Sequence, residues 1–121
     1  LEAFQNTKKV VLIKPLNYSE LVGTIKNCYA LLTDSGGLQE EAPSLGKPVL
    51  VLRKTTERPE AIAAGTAKLI GTDPESILRE TGNILINKED YQKMSKAINP
   101  FGDGKASERI LKICKEFLNK N

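Results

Sequence analysis

Apolar residues fall along this chain in short continuous runs separated by amphipathic stretches. Val10-Val-Leu-Ile13, Tyr29 to Thr33, Pro48-Val-Leu-Val-Leu52 and Ala67 to Ile70 are the runs. Runs of this length, bounded by turn residues, suit strands buried on both faces, which is how parallel sheets are built. Between them the spacing turns helical. Asn17 or Ser19 can cap a helix reaching Asn27, with Leu21, Val22 and Ile25 inward and Gly23 as a weak point. A second helix is expected from Gly36 to about Leu45, bent or shortened by Pro43 and stopped by Gly46. Pro59 suits the first turn of a short helix ending at Gly65. Asp73-Pro-Glu75 opens another, running to about Thr81 and able to restart after Gly82. Lys88 to Ile98, with Tyr91 and Met94 inward, and Ala106 to Leu118 complete the set. In the last helix Ile110, Leu111, Cys114, Phe117 and Leu118 share a stripe, and Lys112, Lys115 and Lys120 form a solvated face. Leu1 to Lys9 reads as a helix tail or a cut end.

Strands alternating with helices predict an α/β fold around a doubly wound parallel sheet. Ligands of such sheets bind beyond the carboxyl ends of the strands, so the loops Asp34–Gly37 and Arg53–Arg58 should open on one edge. The first is the more informative. Ser35 is placed to cap the helix, and the amides of Gly36, Gly37 and Leu38 would face whatever sits above the strand end. That end favours a phosphate. Glu41 lies four residues beyond Gly37 on the same helix face and leans toward the same mouth. Glycine amides for phosphate and Glu41 for ribose hydroxyls would form a nucleotide site. A capped helix whose acidic residues offset its dipole explains the same spacing. Asp34, just before the cap, is expected to bond the turn amides rather than to act in catalysis. In the second loop Arg58 either offers a fork to a diphosphate or pairs with Glu57 or Glu60.

Composition narrows the chemistry. At 121 residues the chain is one domain by size, and its 40% apolar content supports a modest core. A net charge of +3, with acids and bases interspersed, points away from nucleic acid and membrane surfaces. No apolar run is long enough for a membrane span. The chain has no histidine, so serine triads and Cys-His dyads are excluded within it. Cys28 and Cys114 have no metal spacing and read as buried thiols of a reducing compartment. There are no internal repeats.

Three linked segments carry a resemblance. Thr33-Asp-Ser-Gly-Gly-Leu-Gln-Glu-Glu-Ala-Pro-Ser-Leu-Gly-Lys-Pro-Val-Leu-Val-Leu-Arg53 and Thr55-Thr-Glu-Arg-Pro-Glu60 resemble the non-hydrolysing UDP-N-acetylglucosamine 2-epimerases. Asn99-Pro-Phe-Gly-Asp-Gly-Lys-Ala-Ser-Glu-Arg109 resembles their C-terminal signature. The resemblance implies part of a Rossmann-like C-terminal lobe of the glycosyltransferase-B type. The N-terminal lobe and the first strands of this lobe would be absent, leaving an exposed sheet edge.

The resemblance also implies interconversion of UDP-N-acetylglucosamine and UDP-N-acetylmannosamine by UDP elimination and re-addition, with no cofactor and no metal. It implies diphosphate binding by Ser35, Gly36, Gly37 and Arg58, and ribose binding by Glu41. Gln39, Glu40 and Glu60 would support them. Leu21 stands where the family places an aromatic on the uracil side, which puts ring packing in doubt. No catalytic residue is expected in this chain, so it should not turn over, and with half the cleft absent it should bind UDP weakly. The Asn99–Arg109 segment is expected to be structural, with Lys105 or Arg109 bonding nearby carbonyls. The implied partners are a UDP-sugar and the N-terminal lobe, with a homodimer as a candidate assembly and the cytoplasm as the location.

Two other readings remain open on the residues alone. A glycosyltransferase lobe would need an acceptor for turnover, whereas an epimerase would not. A standalone binding module would associate through its open sheet edge without UDP affinity.

Overall fold

The computed structural model describes residues 8–119. The reading of Leu1–Lys9 falls outside them except for Lys8 and Lys9. In chain order the elements are α1 (Tyr18–Asn27), β1 (Leu31–Thr33), α2 (Gly36–Ser44), β2 (Val49–Val51) and α3 (Pro59–Ala63). They continue with β3 (Ala67–Leu69), α4 (Pro74–Ile86), α5 (Lys88–Ser95) and α6 (Ala106–Leu118). The three strands form a parallel sheet in the order β1-β2-β3, with Thr33, Val51 and Leu69 in register at their carboxyl ends.

Side-chain alternation along β2 divides the core. Val49 and Val51 pack on one face with Ile25 of α1, Ala42 of α2 and Ala61 of α3. Leu50 and Leu52 pack on the other with Ile77 and Ile84 of α4 and Met94 of α5. Helices therefore cover both faces of the sheet, as the apolar runs require.

Local chemistry accounts for most boundaries. Asn17 and Glu20 form a reciprocal capping box at the start of α1. Asp73 caps α4 and Asn87 caps α5 through their side chains. Gly46, Gly65 and Gly71 hold φ of 67°, 78° and 73° just past elements, where other residues are strained. α4 runs unbroken through Gly82, because Ile77 and Ile84 anchor it on both sides of that residue. Pro43 sits in the last turn of α2, so the helix loses one bond there without splitting.

Two expectations fail, for one reason. Val10–Ile13 is no strand: it pairs with nothing among the described residues, and Val11 is 80% exposed. The apolar stripe of α6 is also uncovered, with Ile110, Leu111, Phe117 and Leu118 all exposed. Cys114 lies on that stripe and is exposed, and Cys28 is only half-buried, so neither is the buried thiol expected. An apolar pattern is buried only when another surface is present to cover it. The sheet accordingly has three strands where four runs were visible, with β1 and β3 as its edges.

The Asn99–Arg109 segment does structural work by other contacts than expected. Asn99 Nδ2 donates to Ser44 Oγ at 2.8 Å, fastening the segment to the end of α2. Phe101 packs on the core face that carries Val49 and Val51. Arg109 does not bond a carbonyl: it forks onto Asp103, at 2.9 and 2.7 Å. That guanidinium, with the Lys105 amide, holds the Asp103 carboxyl below its usual range.

Candidate functional site

The carboxyl ends of β1 and β2 deliver two loops to one edge of the sheet. Thr33 is buried at the end of β1, and its Oγ1 accepts from the Ser35 amide at 3.0 Å. Asp34 was expected in that role. Its side chain is exposed, and Thr33 holds the turn from the buried end of β1 instead.

Ser35 occupies the N-cap position of α2 with extended backbone, but its hydroxyl makes no cap bond. The first-turn amides of α2 have no acceptor within the helix, and the Ser35 oxygen does not take them. Gly36 and Gly37 are the first two residues of α2, and neither has positive φ. They are therefore not there for a tight turn. A Cβ built on Gly37 would lie 4.0 Å from Ser35 Oγ and 3.9 Å from Glu41 Oε1. The backbone at Gly37 is thus bare between a hydroxyl and a carboxylate. Bare amides at a helix start are suited to close approach by an anion. Because the hydroxyl caps nothing, Ser35→Ala is expected to change stability by less than about 0.5 kcal/mol, against about 1 for a true cap. A thermal melt checks this, and a drop of several degrees would restore the capping role.

Glu41 leans toward the mouth as expected. Its Oε2 is buried and has no hydrogen-bond partner among the described residues. A cavity of about 180 Å³ lies beside it, lined by Tyr18, Val22, Glu41, Ser44 and Leu45. Leu21 does not line it; that side chain is half-buried against the core. Tyr18, one turn earlier on α1, brings the aromatic ring to this side. The sequence reading missed it because Tyr18 falls outside the inward-facing positions of α1.

The second loop reaches α2 through side chains. Arg58 pairs with Glu40 through its Nε, and its Nη1 donates to the Glu57 carbonyl at 3.1 Å. Glu57 and Glu60 were the expected carboxylate partners. Glu57 instead takes Arg53, at 3.3 Å, and Glu60 lies exposed in the first turn of α3. The hydrogen bond that Arg58 donates to the Glu40 carboxylate, reinforced by that carboxylate's charge, holds the guanidinium still more firmly in its charged form. Gln39 is fully buried and bonds both loops: Nε2 donates to the Ser35 carbonyl at 3.2 Å, and Oε1 accepts from Thr56 Oγ1 at 2.6 Å. Lys54 is exposed. Ser35, Gly36, Gly37, Gln39, Glu40, Glu41 and Arg58 are thereby gathered on one end of α2. Leu21 packs against the core instead, and Glu60 makes no ion pair with Arg58 but acts on it through its charge. Among the described residues, no group of three or more His, Cys, Asp or Glu side chains is placed to hold a metal ion.

A parallel α/β sheet with helices on both faces and a bare helix start at its strand carboxyl ends defines the class of Rossmann-like lobes, whose ligands bind at that edge. A family model described as "UDP-N-acetylglucosamine 2-epimerase" matches residues 1–115, and the chain belongs to that family. The UDP-N-acetylglucosamine 2-epimerase of Escherichia coli strain K12 is 54% identical over 110 residues, covering 91% of this chain and 29% of that protein. A crystal structure of a UDP-N-acetylglucosamine 2-epimerase superposes with a TM-score of 0.94 at 48% identity, over 99% of this chain and 32% of that one. The Neisseria meningitidis UDP-GlcNAc 2-epimerase bound to UDP-GlcNAc superposes with a TM-score of 0.80 at 50% identity. That match covers 90% of this chain and 29% of the Neisseria one. The chain thus spans about three tenths of the length of these relatives, and its fold is that of part of a glycosyltransferase-B-type enzyme.

Proposed function

We propose that this chain is the UDP-holding part of a longer UDP-N-acetylglucosamine 2-epimerase. The observation that carries the reading is the Glu41 carboxylate, whose Oε1 lies beside the bare backbone of Gly37 and whose Oε2 is buried with no hydrogen-bond partner among the described residues. A buried carboxylate oxygen without a donor is costly, and a ribose supplies two hydroxyl donors. The amides of Gly36 and Gly37, the Ser35 hydroxyl and Arg58 take the diphosphate.

In this reading the enzyme interconverts UDP-N-acetylglucosamine and UDP-N-acetylmannosamine and serves polysaccharide biosynthesis. UDP leaves the sugar and returns to its other face. The groups at the start of α2 stabilise charge on the diphosphate as it departs and again as it attacks, which is electrostatic catalysis. Carboxylates that move protons belong to the preceding lobe. The exposed apolar run Val10–Ile13 and the bare stripe of α6 support such a lobe, since apolar patches of this kind mark surfaces that another surface covers. A homodimer is the further candidate assembly. No helix among the described residues is long and apolar enough to cross a membrane. Two cysteines without pairing or metal spacing support a reducing location, the cytoplasm.

Titrating UDP into the chain by NMR is expected to move the amides of Ser35, Gly36 and Gly37 first. Shifts confined to α6 would overturn the site. Glu41→Gln is expected to weaken UDP binding about fivefold to tenfold while leaving pyrophosphate unchanged or tighter, since a charged acceptor bonds hydroxyls more strongly than a neutral one. Calorimetry with both ligands separates the cases, and an equal loss for both removes the ribose assignment.

A further inference from the structure

Between the two ligand-facing loops runs a continuous chain of hydrogen bonds through Gln39, which has only a supporting place, with no contact assigned, in the nucleotide reading. The Arg58 amide donates to Thr56 Oγ1 at 3.0 Å. The same hydroxyl donates to Gln39 Oε1 at 2.6 Å, and Gln39 Nε2 donates to the Ser35 carbonyl at 3.2 Å. The polarity is fixed along its whole length. A hydroxyl has one proton, and with the Arg58 amide occupying an oxygen lone pair, that proton goes to Gln39. Turning the Gln39 amide over would set its oxygen against the Ser35 carbonyl oxygen, so only one orientation satisfies both ends.

The position of this chain matters more than its bond count. Ser35 and Arg58 lie 23 positions apart in sequence, and each follows a different strand. Gln39 is fully buried between them. A fully buried amide in a small core costs more to keep than an apolar side chain unless each of its polar atoms is satisfied. Here the satisfied atoms end on the backbone of Ser35 at one side and of Arg58 at the other. The Glu40–Arg58 ion pair runs beside it, from the next residue of the same helix.

We propose that Gln39, acting through Thr56, is a positioning residue that locks the Arg53–Arg58 loop to the start of α2, so that Arg58 and the Ser35–Gly37 amides meet a single diphosphate. This rests on the nucleotide reading above. Neither Gln39 nor Thr56 touches the ligand in this scheme. Their effect is to remove the loop's freedom before the ligand arrives, which otherwise would be lost on binding.

The test uses the chain itself with Thr56→Val, which deletes the hydroxyl at nearly constant volume, and Thr56→Ser, which keeps it. Gln39→Met repeats the test from the other end should Thr56→Val not fold. Two quantities are read: hydrogen exchange of the Arg58 amide without ligand, and NMR titrations with UDP, pyrophosphate and uridine. Thr56→Val is expected to speed Arg58 exchange and to weaken UDP and pyrophosphate each about tenfold, leaving uridine unchanged. Thr56→Ser is expected to behave as wild type. Unchanged UDP affinity in Thr56→Val and Gln39→Met overturns the positioning role alone. An equal loss for uridine also overturns it, because general loosening of the fold would then explain the result. Wild-type chain that takes up neither UDP nor pyrophosphate overturns the nucleotide reading and the positioning role with it.

Discussion

Gly37→Ala is expected to abolish most UDP binding, by about thirtyfold or more, while leaving thermal stability at or slightly above that of wild type. The two halves of that expectation come from one piece of geometry. Gly37 is the second residue of α2 and its φ is not positive, so alanine fits the backbone without strain. The added methyl would meet Glu41 Oε1 at 3.9 Å and Ser35 Oγ at 4.0 Å, both ordinary contact distances. Alanine also favours helix over glycine, by up to about 1 kcal/mol. Nothing in the fold therefore resists the substitution. The ligand does, because the methyl takes up the space between the hydroxyl and the carboxylate where a phosphate oxygen must come within hydrogen-bond distance of the amides. Losing two charge-assisted bonds of this kind accounts for about 2 kcal/mol or more. A melt and a UDP titration on the same sample check it. Retained UDP affinity would show that the anion does not approach at Gly37. A large loss of stability would show that the glycine is structural after all.

Leu50→Ala is expected to cost about 3 kcal/mol of stability, within the usual range of about 2–5 for a buried leucine. Leu50 is fully buried at the middle of the central strand and packs with Ile70, Ile84, Ile77 and Met94. Those neighbours come from two helices and a strand end that cannot all close on the vacated space, so a cavity remains. For a domain of this size the change lowers the melting temperature by roughly 10 °C or more. It removes a large part of a total stability of about 5–15 kcal/mol. Ile110→Ala is the natural comparison, because Ile110 carries a similar side chain on the uncovered face of α6. Its effect on the isolated chain should stay within about 0.5 kcal/mol. Denaturant unfolding of both variants is decisive: comparable losses would mean that α6 packs on the core in solution, and a small loss at Leu50 would mean that the sheet is not the centre of the fold.

Much of this arrangement is written in local sequence. Asn17 with Glu20, Asp73 before Pro74, and Asn87 each cap a helix through atoms no more than three residues away. Gly46, Gly65 and Gly71 stop elements because only glycine takes positive φ cheaply. The runs at Leu31, Val49 and Ala67 become parallel strands because helices of the right length connect them. The lean of Glu41 follows from helix geometry alone, which is why Ser35, Gly36, Gly37 and Glu41 could be placed together before any fold was known, whereas the uncapped start of α2 departs from the cap expected of Ser35. What lay beyond local sequence involves groups brought together across distance. Arg58 found Glu40, 18 residues back, rather than Glu57 or Glu60, because the loop after β2 folds against α2 and sequence neighbours do not measure that approach. Tyr18 came to the cavity because the elements around α1, and not its own spacing, set which of its residues line that cavity. Val10–Ile13 and the stripe of α6 have the patterns of buried elements but lie open, because burial needs a second surface, and among residues 8–119 the fold supplies none for them.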